Sequence, residues 1–367
     1  MIAESAAPLR AQALVRQPRI FPLVQGLRAV AAAAVAFGHV AHDAVTAGRD
    51  PNGLIAGAEG WLSWGAGVDI FFVISGFVIV HASANLFGRQ GATTRFLRRR
   101  LTRIVPLYWA LTTLFLAMEL LNASAVHGET GGAGYIVASY VFFPFPRPDG
   151  LVQPALGLGW TLNYEMFFYC LLSPFLRYRR EAAVAGCALS LCLLVAVEHF
   201  GNFGATALQF WANPIVLEFV LGMGIAVAVA RGLSLPGWVR FVLAALAVVY
   251  MHAQGDLPFT ARVLTFGVPG AMLVVAAVSC ARAESDSRTM RCLVRLGDAS
   301  YAMYLFHPFV MRTATLLGER LGAHSEGSGI TIVVLSLVAA QICALLINMI
   351  FERRVTAMLR GNQRALA

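Results

Sequence analysis

Residues 28–43 read RAVAAAAVAFGHVAHD. A run of alanine, valine and phenylalanine opens on Arg28 and closes on His39, His42 and Asp43, so a segment suited to lipid carries ionisable groups at both ends. Extended back to residue 22 it has the roughly 17–25 apolar residues that cross a bilayer as a helix. Only helices and closed barrels satisfy their own backbone there, and the 3.6-residue period puts groups eleven positions apart on one helix face. Arg28 and His39 are such a pair, about three turns and roughly 16 Å apart along the axis.

The rest of the chain agrees with a membrane reading. Hydrophobic residues make up 58% and charged ones 13%, with a mean hydropathy of +0.70, whereas soluble domains are about 25% charged. Apolar stretches place spans at 22–41, 68–87, 104–121, 158–176, 182–199, 213–230, 237–252, 263–281, 298–317 and 330–350. The expectation is an all-α, polytopic protein of about ten transmembrane helices, with a membrane domain over 21–351 between a cytoplasmic segment 1–20 and a cytoplasmic tail 352–367. GYIVASYVFFPFP from Gly134 is short and proline-bearing, and is expected to be interfacial or re-entrant within the loop 122–157. Arg10, Arg16 and Arg19 before an apolar run look like the start of a signal peptide, but the spans that follow favour a retained first helix.

Arginine sets the orientation, because cytoplasmic loops carry the excess of basic residues. Alternate loops hold Arg10, Arg16 and Arg19; Arg89 through Arg103; Arg177, Arg179 and Arg180; Arg231 and Arg240; Arg282 through Arg295; and Arg353 through Arg364. The opposite loops hold only Arg49, Arg147, Arg262 and Arg320. With ten spans both termini are thus expected in the cytoplasm. The +9 net charge needs no nucleic acid to explain it. The six cysteines have neither metal-ligand nor secreted-disulfide spacing, so no metal is expected.

Ionisable groups within spans usually face a cavity or a partner. Here they are Arg28, His39, Asp69, Glu165, Glu218, His307 and Arg312. Orientation places His39, Asp69 and Glu165 in the outer leaflet and Arg28 near the inner mouth. FLRRRLTRIVPLYW gathers Arg98, Arg99, Arg100 and Arg103 on the cytoplasmic side, either as a topology signal beside anionic lipid or as a phosphate-binding mouth suited to the guanidinium fork. The ninth span, GDASYAMYLFHPFV, runs outward and adds Ser300, Tyr301, Tyr304 and His307 from the inner side toward mid-membrane, although Tyr301 and Tyr304 are also read as interfacial anchors. His39 with Asp43 imitates a histidine–carboxylate pair at i, i+4, and Glu218 and Arg312 are read as packing or pore polarity. His39 also suits a histidine bonded between helices, Asp69 a helix pin, and Glu165 a partner of a nearby tyrosine.

In order along the chain, QGLRAVAA with its Arg-x10-His, GVDIFFVISGF, RRRLTRIVPLYW, WTLNYEMFFY and LGDASYAMYLFHP resemble the membrane acyltransferase-3 family, which O-acylates bacterial surface glycans and some small molecules. The wording of the first and fourth blocks is most similar to the exopolysaccharide-acetylating branch. The resemblance implies an acyltransferase of groups other than amino-acyl groups. Its donor would be cytoplasmic acyl-CoA, by analogy acetyl-CoA, with no permanently bound cofactor. The acceptor would be a polysaccharide or lipid-linked oligosaccharide, and proteins of polysaccharide biosynthesis are candidate partners beside the membrane lipids. His39 would be the catalytic residue and Arg28 a donor-holding one. Some relatives carry an added hydrolase-like domain, which is not expected here.

Combined with the depths above, the expected mechanism has the Arg98 to Arg103 cluster binding the nucleotide, Arg28, Tyr304 and His307 flanking the donor, and His39 acting as general base oriented by Asp69 or Glu165. Rival expectations are acylation of a small molecule such as a macrolide, secondary transport of a glycan intermediate or small anion, and a scaffold for polysaccharide assembly. The transporter lacks visible repeated halves, and the scaffold leaves the Arg28 and His39 alignment unexplained.

Overall fold

The computed structural model describes residues 21–50, 53–121, 131–201, 203–254, 261–280, 287–322 and 328–361. The segment 1–20 with its three arginines, residues 122–130 of the long loop, Arg282 and the end of the tail from 362 lie outside the described residues. Among the described residues the chain is helical, with one isolated antiparallel bridge between Pro146 and Val152 and no strand.

Among the described residues fifteen α-helices follow one another. They are α1 (Pro22–Thr46), α2 (Leu54–Trp61), α3 (Ala66–Ala82), α4 (Ala92–Leu121) and α5 (Ala133–Tyr140). Next come α6 (Trp160–Leu172), α7 (Arg180–Gly201), α8 (Thr206–Trp211), α9 (Leu217–Ala230) and α10 (Gly237–Ala253). The last are α11 (Val268–Val278), α12 (Arg288–Asp298), α13 (Ser300–Arg320), α14 (Ser328–Ile347) and α15 (Arg353–Gly361). Each apolar segment read from the sequence falls on a helix, and five helical stretches are by themselves long and apolar enough to cross a membrane. The GYIVASY segment forms the short helix α5 and turns at Phe142, whose φ is 59°. The expected tail starts as helix, since a π-turn at Asn348–Glu352 carries α14 into α15.

Position within the fold follows from residue chemistry. The α3 sequence AGVDIFFVISGFVIVHA is apolar all round, the pattern of a helix buried on every side, and residues from Ala66 to Val80 are buried along it. It crosses α9 at close range: a Cβ on Gly76 would strike the Phe219 backbone, and one on Gly222 the Val73 backbone. Small residues at such crossings let helices pack in lipid, where no hydrophobic effect drives association. By contrast α7 and α10 turn Leu189, Leu193, Phe241 and Leu246 outward, as helices facing acyl chains do.

α12 is amphipathic and basic, begins at a Ser287 side chain that accepts from the Met290 amide at 3.2 Å, and packs along the start of α1. Helix capping by serine oxygen satisfies one of the amides that a helix start leaves open. Pro22 opens α1 at a position where a missing amide costs nothing. Pro308 lies inside α13, where it frees the Tyr304 carbonyl from its helical partner.

Candidate active site

Two histidine contacts at the far end of α1 from Arg28 organise the site. His39 Nδ1 lies 2.9 Å from His307 Nε2 on α13, and His307 Nδ1 lies 3.1 Å from the Met303 carbonyl. The ring planes differ by 19° with centroids 5.2 Å apart; with the nitrogens at bonding distance, the rings meet edge to edge. The chain of contacts fixes the tautomers. A carbonyl only accepts, so His307 Nδ1 carries the proton and donates it to Met303. The Nε2 of neutral His307 is then an acceptor, His39 Nδ1 donates to it, and His39 Nε2 carries a lone pair. That nitrogen has no partner among the described residues. His307 is 1% exposed whereas His39 is exposed, so the fixed ring is buried and the basic one can be reached.

The expected acids are elsewhere. Asp69 is fully buried in a bidentate pair with Arg262, Nε to Oδ1 and Nη2 to Oδ2 both at 2.7 Å, and Arg262 also bonds the Gly65 carbonyl. A buried carboxylate held by a guanidinium fork pins its helix start. Glu165 accepts from Ser75 Oγ at 2.8 Å and from the Tyr169 hydroxyl. Neither acid bonds His39, which corrects the expected orienting role: the ring's partner is His307. The i, i+4 pair is absent too, because Asp43 accepts from Thr315 Oγ1 at 2.6 Å and His42 pairs with Glu59 at 2.9 Å. Glu218 is fully buried, and among the described residues neither carboxylate oxygen meets a partner at hydrogen-bond geometry.

At the other end of α1 is a cavity enclosing about 850 Å³, its open mouth included, among α1, α3, α4, α6 and α13. Arg28, Arg100 and Arg103 line it together with Ser75, Glu165, Tyr169, Tyr301 and Tyr304. Arg28 donates to Gln25 Oε1 at 2.9 Å, and Arg100 lies over the rings of Phe96 and Tyr169 at 5.7 and 6.0 Å. The Nε of Arg100 is buried and has no hydrogen-bond partner among the described residues. Arg98 and Arg99 are exposed and do not line the cavity, which corrects the expectation of one four-arginine mouth. On a helix, positions three apart share a face and positions one or two apart do not, so α4 turns in Arg100 and Arg103 alone. His307 does not line the cavity either. The cavity reaches Phe71, Thr161 and Tyr304, and the Tyr304 ring is 6.4 Å from that of His307. Tyr304 is held there by Thr161 Oγ1 at 3.2 Å and the Leu158 carbonyl at 3.3 Å.

The cavity lined by three arginines at one end of α1 and the accessible imidazole at its other end put a place for an anionic donor and a general base on one helix. Comparison with known proteins gives this arrangement a family. The model of the acyltransferase-3 family, described as an acyltransferase domain, matches residues 22–349. The chain belongs to this family. It is an integral, multi-pass acyltransferase.

The acyltransferase is 34% identical over 261 residues to the exopolysaccharide production protein ExoZ of Rhizobium meliloti (strain 1021), covering 70% of this chain and 80% of that one. It is 29% identical over 336 residues to the acyltransferase MdmB of Streptomyces mycarofaciens, covering 83% of each, and 26% identical over 292 residues to nodulation protein 10 of Rhizobium leguminosarum bv. viciae, covering 69% and 73%. No solved structure matches.

The reading of Glu165 as the partner of a nearby tyrosine is met by Tyr169, at i+4 from it on α6. Ser75 beside Glu165 and Arg262 as the partner of Asp69 gave no signal in the sequence, standing 90 and 193 positions from the acids they bond.

Proposed function

We propose that this acyltransferase moves an acyl group, acetyl by preference, from cytoplasmic acyl-CoA to a hydroxyl of a cell-surface polysaccharide or its lipid-linked precursor. The observation that carries the reading is the joint placement on α1 of Arg28, in a cavity shared with Arg100 and Arg103, and His39, whose Nε2 is open. ExoZ, named for exopolysaccharide production, supports the acceptor class. The arginine alternation supports ten spans with both termini cytoplasmic in the inner membrane, which puts the arginine cavity within reach of the cytoplasmic donor.

In this mechanism Arg28, Arg100 and Arg103 hold the phosphates of the donor, and its slender arm runs along α1 toward His39, past Phe71 and Tyr304. The rise from Arg28 to His39 is roughly 16 Å, comparable to a pantetheine arm. The acceptor hydroxyl gives its proton to His39 Nε2 as its oxygen adds to the thioester carbonyl. Collapse of the tetrahedral species breaks the carbon–sulfur bond, and the proton passes from His39 to the departing thiolate. His307 holds the ring with Nε2 presented, and stabilises the imidazolium formed in the first half by accepting from its Nδ1–H. Asp69 with Arg262, and Glu165 with Ser75 and Tyr169, keep α3 and α6 in register around the donor.

The test is transfer by the full-length protein reconstituted in liposomes, supplied with labelled acetyl-CoA on the cytoplasmic face and alkali-de-O-acetylated polysaccharide of the producing bacterium on the other. Ester-linked label on the polysaccharide is the expected result. Release of label only as free acetate, or none at all, would refute the acceptor class.

A further inference from the structure

Beyond the catalytic pair, residues 54–64, LIAGAEGWLSW, fold back over the end of α1. Trp64 is fixed: its indole N–H donates to the carbonyls of Ala58 and Glu59 at 2.9 and 3.1 Å, and its ring meets Phe37 edge-on at 4.5 Å. It packs directly on the turn of α1 that carries His39, because a Cβ on the adjacent Gly38 would lie 2.7 Å from the Trp64 Cβ. Glycine at 38 is what lets the indole come so close.

Trp61 is braced on this pillar yet left open. Its ring stands 6.3 Å from that of Trp64 and 5.3 Å from that of His252, and its carbonyl bonds His252 Nδ1. It nonetheless remains 47% exposed. Two positions before Trp61 on α2, Glu59 Oε1 lies 2.9 Å from His42 Nδ1, with the His42 side chain 69% exposed. His42 is three positions beyond His39, hence one turn further out on a neighbouring face of the same helix.

We propose that Trp61, together with Glu59 of the same turned-back segment and its partner His42, is the subsite that seats a sugar ring of the acceptor; this rests on the polysaccharide reading above. A pyranose has a face of C–H groups and a rim of hydroxyls. An indole face, electron-rich at its centre, attracts the C–H face, and a carboxylate accepts from the rim while an imidazole donates or accepts. A tryptophan that only anchors a helix at the lipid interface has no need of an imidazole bonded to its own carbonyl.

The experiment uses the reconstituted full-length enzyme, labelled acetyl-CoA and the de-O-acetylated polysaccharide as probe. W61A is expected to raise the acceptor KM about tenfold, equivalent to 1.4 kcal/mol, with kcat and the acetyl-CoA KM retained, and W61F to restore most of the loss. E59Q is expected to raise the acceptor KM by a smaller factor, and it carries the test if W61A fails to fold. An unchanged acceptor KM in W61A, or in E59Q where W61A does not fold, overturns the subsite while transfer by the wild type leaves the acyltransferase reading standing. A W61A enzyme that loses kcat at unchanged KM overturns it in favour of an anchor. No transfer to the polysaccharide by the wild type overturns the acceptor class and the subsite together.

Discussion

Arg28 and His39 stand on one helix, but the surroundings of the two ends differ in kind. Around Arg28 charge is concentrated: Arg100, Arg103 and Glu165 face the same cavity, and the arginines outnumber the acid. Around His39 charge is withheld: its bonded partner is a second imidazole, and Asp43, one turn further along α1, accepts from Thr315. The difference separates holding from reacting. Phosphates want fixed guanidinium forks, whereas a general base needs an oriented imidazole with an open nitrogen that can take and return one proton.

The largest effect should come from breaking the reactive end. His39→Ala removes the proton acceptor, and transfer should fall by about a thousandfold, within the 10²–10⁴ range of general-base catalysis. Equilibrium binding of acetyl-CoA should persist, because the cavity end is untouched. Near-normal transfer by a folded, correctly inserted His39→Ala protein would dissolve the distinction between the ends.

Breaking the holding end should show the opposite pattern. Arg100→Ala with Arg103→Ala should raise the acetyl-CoA KM roughly a hundredfold, since hydrogen bonds between charged groups are worth about 1.5–3 kcal/mol each. The kcat at saturating donor should change little. Arg98→Ala with Arg99→Ala, on the outward faces of α4, serves as the control and should leave the donor KM near the wild-type value. Equal effects from both doubles would make the cluster a topology signal.

The base can also be disturbed through its support. His307→Ala leaves the His39 Nδ1–H without its acceptor and its ring free to turn, so kcat should fall by about tenfold with both KM values kept. Because His307 acts through His39, adding His307→Ala to His39→Ala should cost nothing further. Additive losses in that cycle would mean that His307 contacts the reactants itself.

This pair marks the limit of what the sequence made legible. The helical class and the position of each apolar segment follow from hydropathy, and the face shared by Arg28 and His39 follows from helical period. Both are local properties of the chain. The partner of His39 was not local: His307 lies 268 positions away, and its helix is brought to α1 by packing that no spacing rule encodes. Acids in the same leaflet looked like the natural supports, and Asp69 instead met Arg262, a residue that reads in sequence as one stray base in an outer loop. Arg98 and Arg99 failed for a simpler reason: four arginines in six positions cannot share one helix face.

The smallest effect should fall between the two ends. Ser75 donates one of the two hydrogen bonds that Glu165 receives, and Tyr169 supplies the other. Ser75→Ala should therefore reduce stability by only about 1–2 kcal/mol, seen as a modest fall in the thermal midpoint of the reconstituted protein, with kcat retained. Its value lies in what it says of Glu165. If this carboxylate only ties α6 to α3, Glu165→Gln, whose amide oxygen still accepts from both hydroxyls, should resemble Ser75→Ala. If Glu165 also offsets the three arginines, removing its charge should tighten the hold on a polyanionic donor, lowering the acetyl-CoA KM while slowing product release. A fall in KM with Glu165→Gln but not with Ser75→Ala would assign Glu165 to the holding end, as the group that keeps that hold weak enough to let coenzyme A go.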